Sequence, residues 1–240
     1  LSQLREARSR WLLEPFVQVH SSTVLFGDGG TGKSTLALAI AASVATGRLL
    51  GKLHGEPRPA LYLDWEADAD VHAERLRALG HGHGVELGGV YYRRMTVPLE
   101  DAATTVQRDV AKLGVGLVVM DSMLLARGGD PDSADTTGRF FRAARSLGTS
   151  FLVVDHLPKH ALDATKPFGS VYTHHLARLT WKLTSEPLPG ALRVWLRSFK
   201  RNAGEQLRPL CYDVHWQSNG TGELRSLRFV TDRPELLPGA

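Results

Sequence analysis

The segment GDGGTGKS, Gly27 to Ser34, satisfies the pattern G-x-x-x-x-G-K-[ST] at every position. Residues of these types at this spacing hold a polyphosphate. Glycine has no Cβ to keep backbone N–H groups from curling around phosphate oxygens. A helix starting near Lys33 would add the positive end of its dipole. Lys33 is expected to reach the β- and γ-phosphates and the Ser34 hydroxyl to ligate Mg²⁺. The expected cradle therefore runs Gly27, Asp28, Gly29, Gly30, Thr31, Gly32, Lys33, Ser34 and Thr35, with ATP and Mg²⁺ as cofactors. An ordinary glycine-rich turn is the plain alternative.

Phosphate chemistry also needs carboxylates. GLVVMDS, Gly116 to Ser122, ends an apolar run on Asp121. At the carboxyl end of a parallel strand, that aspartate would lie beside the cradle and hold Mg²⁺ through water. The stretch LYLDWEADAD, Leu61 to Asp70, is a second strand that runs into acids. Asp68 and Asp70 suit the N-cap and first turn of a following helix. Glu66 has no such explanation. On a strand next to that of Asp121 it would open toward the γ-phosphate, where it could polarise the attacking water. Asp64 shares its face by period-two geometry, but lies deeper and is the weaker candidate. In FLVVDHLPK, Phe151 to Lys159, His156 follows a third apolar strand. It would sense the γ-phosphate, or else be a hydrogen-bonded structural histidine.

Elements must exist to bring these groups together. Strands are expected at Thr23–Phe26, Ala60–Trp65, Val90–Tyr92, Leu117–Asp121 and Phe151–Asp155, with helices at Lys33–Thr46, Ala69–Leu79, Ala102–Leu113 and Ala134–Leu147. In the second helix, Val71, Leu76 and Leu79 can form the apolar stripe. This alternation predicts an α/β fold with a mostly parallel central sheet and helices on both faces. After about Ala177 the rhythm changes to Leu179–Leu183, Leu192–Phe199, Leu207–His215 and Leu224–Val230, a C-terminal antiparallel extension. One domain over 1–240 is expected, with a lead-in at 1–20 and antiparallel edge strands over 178–240.

Bulk composition fits. The 240 residues are 42% hydrophobic and carry a formal net charge of +4, so a large core and a polyanionic partner are both compatible. Cys211 is the sole cysteine, which rules out an intramolecular disulfide and a cysteine zinc site. Neither the apolar run Leu36 to Ala45 nor the charged start LSQLREARSRW reads as a membrane span or signal peptide. The expectation is a cytoplasmic protein. HGHG, His81 to Gly84, and the pair His174–His175 lack a third ligand at metal spacing and are expected to be loop histidines.

WLLEPFVQVHSSTVLFGDGGTGKST, the continuation ALAIAASVATGRLLG, YLDWEAD, VVMDS and VVDHLPK together resemble the RecA-like P-loop ATPases, and within them the RepA-like hexameric replicative helicases. The resemblance spans Trp11 to about Gly204. It implies Glu66 as catalytic glutamate, Asp121 as magnesium aspartate and His156 as phosphate sensor. SFKRNAG resembles the strand end that supplies basic fingers to a neighbour's ATP, which implies that Lys200 or Arg201 acts in trans. A ring of identical subunits, a hexamer, on single-stranded DNA is implied, beside a primase or replication-initiation partner. The loops Ala126–Asp135 and Pro158–His175 would then face the channel. Lys159, Lys166, Phe168 and Tyr172 in the second are candidate strand contacts. A regulatory or recombination ATPase that uses ATP to gate assembly is the other reading.

Overall fold

Strands that are apolar at both odd and even positions need cover on both faces, and the central strands here are of that kind. The computed structural model describes residues 11–157, 171–202 and 207–231. In chain order, β1 (Trp11–Glu14) and β2 (Val17–Gln18) precede β3 (Ser22–Gly27), α1 (Lys33–Thr46) and β4 (Lys52–Leu53). Next come β5 (Ala60–Asp64), α2 (Ala69–His83), β6 (Val90–Arg94), α3 (Leu99–Leu113) and β7 (Leu117–Asp121). The short α4 (Met123–Ala126), α5 (Ala134–Ser146), β8 (Ser150–His156) and α6 (Val171–Leu176) follow. Last are β9 (Leu179–Leu188), β10 (Ala191–Arg201), β11 (Leu210–Ser218) and β12 (Leu224–Val230).

The main sheet has nine strands in the order β12-β11-β10-β9-β3-β8-β7-β5-β6. It is parallel from β9 through to β6 and antiparallel from β9 out to β12. Alternation sorts the side chains. Leu25, Tyr62, Val119 and Val154 join the core that buries α1 and the Ala78–Leu79 turn of α2. Val24, Phe26, Leu63, Met120 and Val153 join the other core, with Val106 of α3 and Phe140 and Phe141 of α5. Helix α1 is buried all round from Leu36 to Val44, which explains its lack of a polar face. The expected fold class stands: a mostly parallel α/β sheet with helices on both faces and a C-terminal antiparallel extension.

Several features were not foreseen. Strands β1, β2 and β4 form a separate three-stranded sheet, so the lead-in segment is itself structured from Trp11. The stripe of α2 also differs from expectation, because Val71 is exposed and His72 is buried. His72 faces inward because it has a buried partner, described below.

The outer edge of β12 is covered by α2 rather than left open. The N–H of Leu224 donates to Glu74 Oε1 at 2.6 Å, and that of Phe229 to His83 Nε2 at 3.1 Å. A Cβ at Gly82 would lie 2.2 Å from the carbonyl oxygen of Leu227, so this approach admits only glycine. His81 and His83 thus belong to the last turn of α2 and not to a loop. Among the described residues, no helix is long and apolar enough to cross a membrane.

Candidate functional site

Strand β3 delivers the glycine-rich loop to the carboxyl edge of the parallel strands, where α/β sheets bind ligands. A Cβ at Gly27 would come 2.4 Å from the carbonyl oxygen of Leu183 on β9, so the loop can begin here only with glycine. Gly30 and Gly32 have φ of 74° and 87°, which turns the chain back into the first residue of α1. The Thr31 hydroxyl donates to the Asp28 carbonyl at 2.9 Å, and the Gly29 N–H to Asp28 Oδ1 at 2.8 Å. Around Gly29 and Gly30 the space is open to at least 4 Å, a concavity floored by backbone. Lys33 Nζ donates to the carbonyls of Gly27 at 3.0 Å and Asp28 at 2.6 Å. Burial pulls the Lys33 pKa below its usual value, against the opposing fields of Asp121, Asp28, Glu66 and Asp155.

Asp121 ends β7 two strands away from β3 and is buried. Desolvation raises its pKa, although the Ser34 side chain and the Tyr62 hydroxyl both hydrogen-bond to it, the latter at 2.7 Å. A buried carboxylate next to a serine hydroxyl is a hard-oxygen donor set suited to Mg²⁺. The residues present therefore fit the cofactors: backbone amides and Lys33 for phosphate, Ser34 and Asp121 for the metal.

Glu66 sits just past β5, half-exposed. The Ser122 hydroxyl donates to its Oε1, and His156 Nε2 is 3.7 Å from the same oxygen. The two groups tune each other. Interaction with His156 holds the Glu66 carboxyl below its ordinary range, and Glu66 raises the His156 imidazole above its own. Lys33, Ser34, Glu66, Asp121 and His156 thus gather at one edge of the sheet from four different strand ends.

Asp64 has a different task. It is 1% exposed and takes bonds from the N–H groups of Glu66 at 2.8 Å and Ala67 at 3.0 Å. His72 Nε2 meets its other oxygen at 2.6 Å. Burial opposes ionisation, but these bonds outweigh it and leave the Asp64 pKa lowered. The carboxylate is the bracket of the turn that presents Glu66. Sequence reasoning gave no place to His72. Its signal was a lone histidine eight residues after Asp64, one turn into the next helix.

A second polar pair lies behind the site. Asp155 precedes His156, is fully buried and accepts the His156 N–H at 2.9 Å. Its Oδ2 has no hydrogen-bond partner among the described residues, nor has any guanidinium nitrogen of the buried Arg127. Burial pushes the Asp155 carboxyl up to about 7, against the pull of the His156 amide and Arg127. A carboxyl whose pKa is raised on folding binds a proton in the native state first, so stability falls as pH climbs toward that value. Asp155→Asn should flatten this decline between about pH 4 and 7, which amounts to at most ~4 kcal/mol. Chemical denaturation across that pH range measures it. An unchanged slope in the variant would assign the titration to another group.

The remaining expected residues lie elsewhere. Lys200 and Arg201 pair with Thr180 and Leu179 at the amino end of β9, at the opposite edge of the sheet from the glycine-rich loop. Lys200 Nζ donates to the carbonyls of His174 and His175, both at 2.7 Å, and Arg201 lies over the Trp11 ring at 5.1 Å. In the loop 126–135, Arg127 is turned inward while Asp130, Asp132 and Asp135 are exposed. Of the second loop, Lys159, Lys166 and Phe168 lie outside the described residues, and Tyr172 is exposed on α6.

Comparison with known protein families matches residues 2–161 to the AAA domain. No curated protein matches the chain.

Proposed function

Because the chain belongs to the AAA domain family of P-loop ATPases, we propose that it hydrolyses ATP with Mg²⁺ in a homohexameric ring that moves along single-stranded DNA. The observation that supports hydrolysis is the convergence of Lys33, Ser34, Glu66, Asp121 and His156 on one edge of the sheet. The resemblance to RepA-like replicative helicases supports the ring and the DNA.

Backbone N–H groups of Gly29 to Ser34 bind the phosphates. Lys33 exchanges its bonds to the Gly27 and Asp28 carbonyls for phosphate oxygens. Ser34 and Asp121 hold Mg²⁺, which when bound neutralises charge on the β- and γ-oxygens. Glu66, kept ionised by its depressed pKa, orients and polarises the attacking water. A carboxylate of low basicity suits orientation better than early, complete proton removal. His156 stands between Glu66 and the incoming γ-phosphate. A shift in its bonding would reach the chain beyond Leu157. Lys200 or Arg201 serves a neighbouring subunit's nucleotide, and its position at the amino edge of β9 supports action across an interface rather than on its own cradle.

One observation favours a second reading. The loop 126–135 presents Asp130, Asp132 and Asp135 outward and buries its one arginine, which is unfavourable for contact with a phosphate backbone. In that reading, ATP binding gates assembly with protein partners. ATPase rate with and without single-stranded DNA, over a salt series, separates the two. Stimulation of about tenfold or more at low salt, fading as salt rises, is expected of the motor. A flat response at low salt would reject it.

A further inference from the structure

The cradle has two flanks. In the strand order, β8, β7 and β5 lie on one side of β3 and carry His156, Asp121 and the Glu66 turn. The reacting end of a bound triphosphate faces that side. Its nucleoside end must therefore leave toward the other, where β9 leads to β10, β11 and β12.

A cavity lies there. From the cradle it is bordered by Gly32 and Thr35, and from the sheet by Leu192, Val214, Trp216 and Phe229. The sheet side is built by register. Leu192, Val214 and Phe229 stand in one cross-strand row, and Trp216 pairs with Leu227 in the next. A Cβ on Gly32 would lie 3.6 Å from Leu192 Cδ2, so the cavity is continuous with the phosphate loop. Its floor is buried, with Val214 at 6% and Phe229 at 2% exposure, while Trp216 at its mouth is 42% exposed. A large aromatic left this open beside a ligand cradle is a stacking surface. Among the lining residues, only the Thr35 hydroxyl and the Trp216 indole N–H offer side-chain polar atoms.

We propose that this cavity holds the base of the nucleotide, stacked on Trp216, and that it does not read the base edge. Discrimination between bases requires donors and acceptors placed against their ring edges; an apolar pocket accepts any flat heterocycle. The protein is thus a general nucleoside triphosphatase. This rests on the hydrolase reading above and deepens it.

The test is equilibrium binding of Mg²⁺ with ATP, GTP, CTP, UTP or inorganic tripolyphosphate, to the parent, Trp216→Ala and Trp216→Phe, alongside their thermal midpoints. The four nucleotides should bind the parent within about fivefold of one another, because stacking tolerates every base. Trp216→Ala should weaken ATP by roughly tenfold and leave tripolyphosphate unchanged, and Trp216→Phe should stay within about threefold of the parent for both. Equal weakening of ATP and tripolyphosphate in the alanine variant, or no weakening of ATP, would overturn the base site. A preference of about a hundredfold for one base would overturn its indifference. A parent that binds tripolyphosphate but shows those results keeps the phosphate cradle. Failure to bind any of the five would remove the nucleotide reading itself.

Discussion

Glu66→Gln is expected to lower ATP turnover by about 10²- to 10⁴-fold while nucleotide affinity stays within about threefold of the parent. The amide keeps the shape of the carboxylate and can keep the bond that Ser122 donates to Oε1. What it loses is the negative charge and the capacity to take a proton from water. Lys33, Ser34 and Asp121 are untouched, so the groups that would grip phosphate and metal remain. Loss of an anion beside the γ-phosphate should, if anything, tighten ATP binding. Single-turnover hydrolysis and a separate binding titration resolve the two effects. Parent-like turnover would place the water-activating group elsewhere. Weakened binding with unchanged chemistry would make Glu66 a ligand-positioning residue.

Much of this site was legible because its parts are strand ends. β3, β5, β7 and β8 are near-continuous apolar runs that end in a polar residue, and a parallel sheet puts all such ends on one edge. Gly27, Asp121 and His156 could therefore be gathered before any strand order was known. Boundaries within the core were legible for the same reason. Helix α1 and strand β7 run as expected from Lys33 to Thr46 and Leu117 to Asp121, because glycine or a charge marks each end.

What stayed hidden depends on contacts between segments remote in sequence. β1 and β2 are short, and they gain their hydrogen bonds only when β4 arrives from across α1. The inward turn of Arg127 could not be read from ARGGDPDSAD, where composition suggests a solvated loop. The edge of β12 is sealed by Glu74 and His83, which sit about 150 positions earlier in the chain. Local pattern carries no trace of that pairing, although it explains why HGHG combines glycine for close approach with histidine for acceptance. The base cavity is likewise a product of register: Leu192, Val214 and Phe229 are ordinary strand residues until three strands align them.

His72 is the clearest case of a residue whose weight lies wholly in such a contact, and its removal should cost more stability than any surface change. His72→Ala is expected to destabilise the protein by ~3–5 kcal/mol, because Asp64 would be left buried with one oxygen unpaired. The ring also packs between Tyr62 at 4.6 Å and Tyr92 at 5.5 Å, so its loss opens a cavity as well. Asp64→Asn should cost less, about 1–2 kcal/mol, since the amide can still accept from Glu66 and Ala67 while meeting the imidazole. Urea denaturation compares the two. The catalytic consequence separates a bracket from a mere core residue. A loosened Glu66 turn should lower kcat roughly tenfold with little change in KM, since ground-state phosphate contacts are elsewhere. If kcat holds while stability falls, Asp64 and His72 support the fold and not the geometry of Glu66. If both fall together in His72→Ala and neither does in Asp64→Asn, the orientation of the catalytic carboxylate depends on the paired charge at its base.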